Sequence, residues 1–311
     1  MTMLALPASA LALSTAVPGR AADTPAAGTS LHLRVTPQRL QYNHPVTATG
    51  HSPASAAGHT VQLQAAVSRG SRWQTLRSAR IDRSGGFRLR AALRHSGYVR
   101  VAALPAGPVA SAATVAGAAT AGASVSPSRP VAVAARLQVP SRSRELLAGQ
   151  AVKVRGTLLP AHAGRLVRLQ GYTGTGWHTL TSTRTGPAGG FQLHSTPGNG
   201  LERRLRVKFP GDATNASTAR SAGRVTVYQD QSVASWYEDS GATACGFHAG
   251  MGVANRDLPC GTKVRLRYGG RSVTAVVDDR GPFVGGRDWD LNQNTAAALN
   301  FGGVGTVWAT R

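Results

Sequence analysis

Acidic residues are scarce in this sequence: 13 Asp and Glu stand against 35 Lys and Arg, for a formal net charge of +22. Lysine is scarcer still, limited to Lys153, Lys208 and Lys263. Aromatics make up only 5% of the chain, so any core must be assembled mainly from Val, Leu and Ala. No run of eighteen apolar residues occurs, which argues against a membrane-spanning helix. Cysteine appears twice, as Cys245 and Cys260. Two thiols among scattered histidines do not supply the four ligands of a structural metal site, and neither a metal nor a cofactor is expected.

The positive charge is present but uneven. Residues 1–230 carry 27 basic and 6 acidic side chains, a net of about +21, whereas residues 231–311 carry 8 and 7. Such a basic region invites a nucleic-acid reading. The Arg-for-Lys bias in an Ala- and Gly-rich chain weakens it, since the same bias follows from a GC-rich genome. Nucleic acid is therefore not expected as a partner. The beginning reads as an export signal: Met3 to Val17 is apolar and short, and Pro18-Gly19-Arg20-Ala21-Ala22 offers small residues for cleavage. Residues 1–28 are assigned to this signal and a disordered start. In an exported chain an even cysteine pair reads as one disulfide, Cys245 with Cys260.

An internal repeat organises the middle. Val46-Thr47-Ala48-Thr49-Gly50, Val61-Gln62-Leu63-Gln64, Trp73-Gln74-Thr75-Leu76 and Gly85-Gly86-Phe87 return as Val152-Lys153-Val154-Arg155-Gly156, Val167-Arg168-Leu169-Gln170, Trp177-His178-Thr179-Leu180 and Gly189-Gly190-Phe191. The Trp-to-Phe spacing is fourteen residues in both copies. Two copies at matched spacing indicate a duplicated module. Apolar and polar residues alternate within each copy, as in Leu31, Leu33, Val35 and in Leu205, Val207, Phe209, the period of half-buried strands. Short strands separated by Gly, Pro and Ser give an antiparallel β-sandwich pattern. Residues 29–103 and 135–228 thus read as two Ig-like sandwich modules, and residues 104–134 as an Ala/Pro-rich linker with room for an edge strand. The modules are read either as spacers or as a basic surface that holds anionic wall polymers.

From Gln231 the composition shifts, and residues 231–311 read as a separate small β domain. It contains Ala234-Ser235-Trp236-Tyr237, then Thr243-Ala244-Cys245-Gly246, Leu258-Pro259-Cys260-Gly261-Thr262, Asp279-Arg280-Gly281-Pro282-Phe283, and Asp290-Leu291-Asn292 before an Ala-rich helix. In order and spacing these segments resemble the rare lipoprotein A (RlpA) family. The resemblance covers Val233 to Thr310 and implies a six-stranded double-psi β-barrel at the end of an all-β chain. It also implies a polysaccharide groove and, as in several members, lytic transglycosylase activity on peptidoglycan glycan strands at the cell wall or cell surface. Two positions depart from the pattern. Many active members carry a Glu soon after the motif matched by Thr243–Gly246 and a His before the Leu-Pro turn; here they are Phe247 and Asn255. An expansin-like alternative stays open, a wall-binding or wall-loosening module without cleavage.

A lytic transglycosylase needs one carboxyl that protonates the leaving oxygen and later takes a proton back. The nucleophile, the sugar's own 6-hydroxyl, is already tethered. Asp290 and Asp279, at strand ends that can converge on one groove, are the catalytic candidates. Asp290 is favoured because Trp289 would dry its surroundings, and the resemblance to expansin barrels points to the same position. Asp278 is expected to point away from its neighbour Asp279. Tyr237, His248, Asn255 and Trp289 are the expected substrate-binding residues.

Overall fold

The computed structural model describes residues 31–53, 56–104, 124–197 and 203–310. The export segment, residues 1–28, and residues 105–123 of the expected linker lie outside the described residues. All but one of the described elements are strands. The first module comprises β1 (His32–Thr36), β2 (Arg39–Gln41), β3 (His44–His51), β4 (Thr60–Ala66), β5 (Gln74–Arg80), β6 (Gly86–Leu93), β7 (Gly97–Leu104), β8 (Ser124–Val125) and β9 (Arg129–Ala134). The second comprises β10 (Arg136–Gln138), β11 (Arg144–Leu147), β12 (Val152–Leu159), β13 (Leu166–Tyr172), β14 (Trp177–Arg184), β15 (Gly190–Ser195), β16 (Arg203–Phe209) and β17 (Thr218–Tyr228). Each packs a three-stranded sheet, β1-β3-β6 or β10-β12-β15, against a larger one, β2-β9-β7-β4-β5 or β11-β17-β16-β13-β14.

Period-two alternation fills both cores: Val46, Val61, Leu63, Leu89 and Val101 in one, Val154, Leu169, Leu193, Leu205, Val207 and Phe209 in the other, all buried. The repeated Gly and Phe markers face each other across the small sheet, Gly50 opposite Phe87 and Gly156 opposite Phe191. A Cβ at Gly50 would lie 2.3 Å from the Phe87 ring, and one at Gly156 would lie 2.6 Å from the Phe191 ring. Each ring therefore lies over a bare glycine, covering backbone that no side chain shields.

The linker reading needs correction at its end. β9 lies inside the segment 104–134, yet it pairs with β2 on one side and β7 on the other, and β8 adds to β7. Its buried Val131 and Val133 complete the first core. Alternation in Arg129–Ala134 places them there, but the surrounding Ala and Pro disguise it. The modules then join directly. Asn215 donates from Nδ2 to the carbonyls of Arg94 (2.9 Å) and Val133 (3.2 Å), and Arg165 donates to Asp212 Oδ2 (2.8 Å) and Asn215 Oδ1 (3.1 Å).

The last domain comprises β18 (Asp230–Tyr237), β19 (Gly252–Ala254), β20 (Lys263–Tyr268), β21 (Arg271–Asp279), β22 (Trp289–Asn292), helix α1 (Gln293–Leu299) and β23 (Gly305–Ala309). The strands close into a barrel in the order β18-β22-β19-β21-β20-β23, with parallel pairs β18/β22 and β19/β21. Trp289, Leu291, Val277, Leu266 and Leu299 are buried in its core. Asn292 caps α1 by accepting from the Thr295 N–H at 2.9 Å.

Only Gln229 separates β17 from β18. Glu145 of the second module reaches the barrel. Its carboxylate accepts from Ser272 Oγ (2.6 Å) and Tyr228 OH (2.9 Å), pairs with Arg265 (3.4 Å) and contacts Arg267. Burial opposes ionisation of Glu145, but these hydroxyls and guanidiniums outweigh it and hold the carboxyl below its usual range. Among the described residues no helix is long and apolar enough to cross a membrane.

Candidate active site

The closure of the barrel brings together acids of two strands and a loop, with a tyrosine from a third strand. Ala254 of β19 is the register partner of Asp279 on one neighbouring strand and of Asp290 on the other. The two Cα atoms are therefore two strand spacings apart, roughly 10 Å. Tyr237 ends β18, two residues beyond Ser235, which pairs with Asp290. Alternation along β22 turns Trp289 and Leu291 into the core and Asp290 to the opposite face.

Asp290 is half-buried. Its Oδ1 is buried with no protein hydrogen-bond partner, and so is Ser235 Oγ beside it. Burial is the main cause that raises the Asp290 carboxyl above the ordinary range. Ser235 and Arg287 oppose the shift, and the negative charge of Asp279 adds to it. The serine hydroxyl is near enough to act electrostatically but falls outside hydrogen-bonding geometry. Asp279 is held differently. Its Oδ1 accepts backbone N–H groups from Ala244 (2.7 Å) and Arg280 (2.8 Å), which fix the carboxyl as an acceptor. The Arg280 guanidinium turns away, donating to the carbonyls of Asn255 (3.1 Å) and Leu258 (2.9 Å).

The Tyr237 hydroxyl is buried and has no protein partner. Burial first, then the charges of Asp278, Asp239, Asp279 and Asp290, push its pKa far up, so the phenol stays protonated. Those four acids locate the centre of the site. Asp239 also meets His248, with Nδ1 to Oδ1 at 2.9 Å. Asp278 is wholly buried and accepts from the Ala249 N–H at 2.8 Å, its Oδ1 lacking a protein partner, and its charge acts on Tyr237. It fits only because residue 252 is glycine; a Cβ there would come 2.2 Å from Asp278 Oδ2.

The structure therefore brings together Asp279, Asp290, Tyr237 and His248, and it adds Asp239, Asp278 and Ser235. Two expected substrate contacts are displaced. Trp289 is fully buried, its Nε1 donating to Ser232 Oγ at 3.0 Å, so its ring cannot meet a sugar or dry Asp290 from the groove side. Asn255 is 3% exposed and serves a turn: Oδ1 accepts from Asp257 N (3.0 Å) and Leu258 N (2.9 Å), and Nδ2 donates to the Asp288 carbonyl (3.1 Å). Exposed apolar side chains of this domain include Trp236, next to Tyr237 on β18, and Phe247, Met251, Phe283 and Val284. Cys245 and Cys260 form the disulfide, with Cα atoms 5.7 Å apart, and it anchors the loop whose Ala244 N–H grips Asp279.

With that geometry in hand, comparison with known proteins assigns the domain to a class. The Lytic transglycolase family matches residues 229–308. The C-terminal domain is an RlpA-like double-psi β-barrel of a lytic-transglycosylase-like kind. The relatives it resembles bear that out. A "Probable endolytic peptidoglycan transglycosylase RlpA" of Synechocystis sp. is 36% identical over 91 residues, which cover 24% of this chain and 26% of the relative. A protein of the same name from Nostoc sp. is 46% identical over 59 residues, covering 18% and 16% respectively. The match thus spans about a quarter or less of either relative's length. Among solved structures, the chain is similar to a tetra-tandem repeat in the extending region of a large adhesion protein. That likeness has a TM-score of 0.33 at 13% identity over 84% of this chain and 66% of that one. An ICAM-5 D1–D4 ectodomain fragment gives 0.32 at 15% over 80% and 75%. Both scores are too low to bear on the argument.

Proposed function

We propose that the barrel cleaves peptidoglycan glycan strands as a lytic transglycosylase at the cell wall, with Asp290 as its acid and then its base. The observation that carries this reading is the half-buried Asp290 carboxyl, whose Oδ1 is buried without a protein partner, beside a second carboxyl fixed by backbone donors. Raised by burial, Asp290 keeps its proton at higher pH than a free carboxyl would. It gives that proton to the glycosidic oxygen as the anomeric C–O bond breaks. The sugar's 6-hydroxyl oxygen bonds to the anomeric carbon, and its proton returns to Asp290. No water is consumed, and one product ends in a 1,6-anhydro ring. Asp279, fixed by two N–H donors, faces the positive charge that develops on the sugar. Tyr237 remains a neutral hydroxyl that can donate to the glycan. Phe247, Met251, Phe283 and Val284 supply apolar surface for sugar faces in place of Trp289.

The test is mass spectrometry of wall digested by the full chain. Anhydro-muramic ends support the reading; reducing ends would make the protein a hydrolase. A second reading rests on a separate observation: Phe247 cannot transfer a proton, and Asn255 is committed to a turn. Without those two groups the barrel would bind and loosen glycan without cutting it. Sedimentation with wall and no soluble fragments would decide for that outcome.

A further inference from the structure

The tryptophans that mark the repeat, Trp73 and Trp177, are not among the core residues. Both are half-buried on the larger sheets, and each lies beneath an arginine. The Arg100 guanidinium carbon is 4.1 Å from the Trp73 ring centre, and that of Arg206 is 4.1 Å from the Trp177 ring centre. Each arginine is locked by the same second contact: Arg100 Nε donates to Gln64 Oε1 at 2.9 Å, and Arg206 Nε to Gln170 Oε1 at 2.9 Å. The backbone repeats as well. Gln64 and Gln170 follow a register shift in their strands and pair with Arg100 and Arg206 on the next strand. A bulge of this kind re-aims a side chain. The stack recurs alongside, with Arg69 over Tyr98 and Arg204 over Tyr172.

A guanidinium stacked on indole and tied at Nε has lost most of its freedom. Its two terminal amino groups, Nη1 and Nη2, have no protein partner among the described residues for either Arg100 or Arg206. Their edge is the one that forks onto phosphate or carboxylate oxygens. The strands of the two larger sheets hold fourteen Arg or Lys and a single acid, Glu145, which is spent on the barrel joint. Such a surface favours an anion with more than one charge. Bases of a nucleic acid would need open aromatic faces to stack on, and here the rings of Trp73, Trp177, Tyr98 and Tyr172 each lie against a guanidinium.

We infer that Arg100 with Trp73 and Gln64, and Arg206 with Trp177 and Gln170, are two copies of one binding site for a polymeric phosphate anion that lacks stacking bases. This gives a location to the expected hold of the basic modules on anionic wall polymer, and it is independent of cleavage by the barrel.

The test uses the full chain and purified polyglycerol phosphate as the probe, with affinity measured by calorimetry. Replacing both arginines, R100Q/R206Q, should weaken binding by about tenfold or more, as loss of charge-assisted bonds at two linked sites requires. R100K/R206K keeps the charge but not the planar fork, and should lose most of the same affinity. R72Q/R83Q removes two exposed loop arginines as a charge-matched control and should change binding by no more than about twofold. Thermal melts verify that each variant is folded. Equal losses in the control, full binding by the lysine variant, or tighter binding to DNA than to the polymer would each overturn the assignment. None of these readouts depends on whether wall is cleaved.

Discussion

Asp290→Asn is the most informative single change, because asparagine keeps the side-chain shape and removes only the titrating proton. Asp290 is held above the ordinary carboxylate range by burial, against the pull of Ser235 and Arg287. In its neutral form it resembles asparagine closely, so packing around Val253 and Leu291 should persist. General acid catalysis contributes about 10²–10⁴-fold, so the variant should lose about 3–5.5 kcal/mol of transition-state stabilisation. The effect on folding runs the other way. A carboxyl whose folded pKa exceeds its unfolded one binds more protons when folded, so wild-type stability declines as pH rises from the ordinary range through the raised value. The asparagine variant lacks this decline. Its melting temperature relative to wild type should therefore increase from pH 4 to pH 8. Release of anhydro-muropeptides from purified wall gives the rate, and calorimetry gives the melts. A folded variant that retains activity within about threefold of wild type would refute the assignment, since no general acid is worth so little. The wild-type rate should also fall on the alkaline side as Asp290 loses its proton.

Three further outcomes follow from the geometry. Replacing Cys245 and Cys260 with alanine opens a loop of 15 residues and should cost about 3 kcal/mol in urea denaturation, with a drop in wall cleavage as the Ala244 N–H leaves Asp279. Burial favours the neutral form of Asp212, but donors from Arg165, Thr214 and Asn215 bring its carboxyl down to about 2. The stability it lends is present above the unfolded value near 4 and should vanish as pH falls toward 2, by about 1–2 kcal/mol after solvent screening; a smaller acid-side loss in Arg165→Ala, which keeps the Thr214 and Asn215 donors, seen by calorimetry, checks the source. Gly252→Ala pushes a methyl onto Asp278 and should destabilise the barrel by about 1–3 kcal/mol, a loss that Asp278→Ala in the same chain should partly restore if the clash is the cause.

The sequence is most legible where one residue type has one structural use. Leu205, Val207 and Phe209 alternate, and all three are buried. The repeated Gly and Phe pair across a sheet because a ring needs a bare backbone to lie on. The ends of β21 and β22 do converge, as their Asp-containing motifs suggest. Trp289 misleads because an aromatic beside an acid looks like a sugar platform. Its alternation with Leu291 around Asp290 is the signal that places it in the core. Asn255 similarly precedes Asp257 and Leu258 at the spacing of an asparagine that accepts from its own turn. Asp239 and Asp278 are harder. The first gains its partner His248 from a loop excursion, and the second depends on the missing side chain of Gly252. Neither relation has a local pattern.

The joint at Gln229 bears on how the barrel would reach the glycan proposed as its substrate. A barrel on a flexible tether samples a sphere, and its local concentration falls as the tether lengthens. Here one residue joins β17 to β18, and Glu145 fastens across the seam to Arg265, Arg267 and Ser272. The second sandwich therefore acts as a ruler rather than a leash. Wherever that sandwich is held, the Asp279 and Asp290 end of the barrel is presented at one height and one orientation.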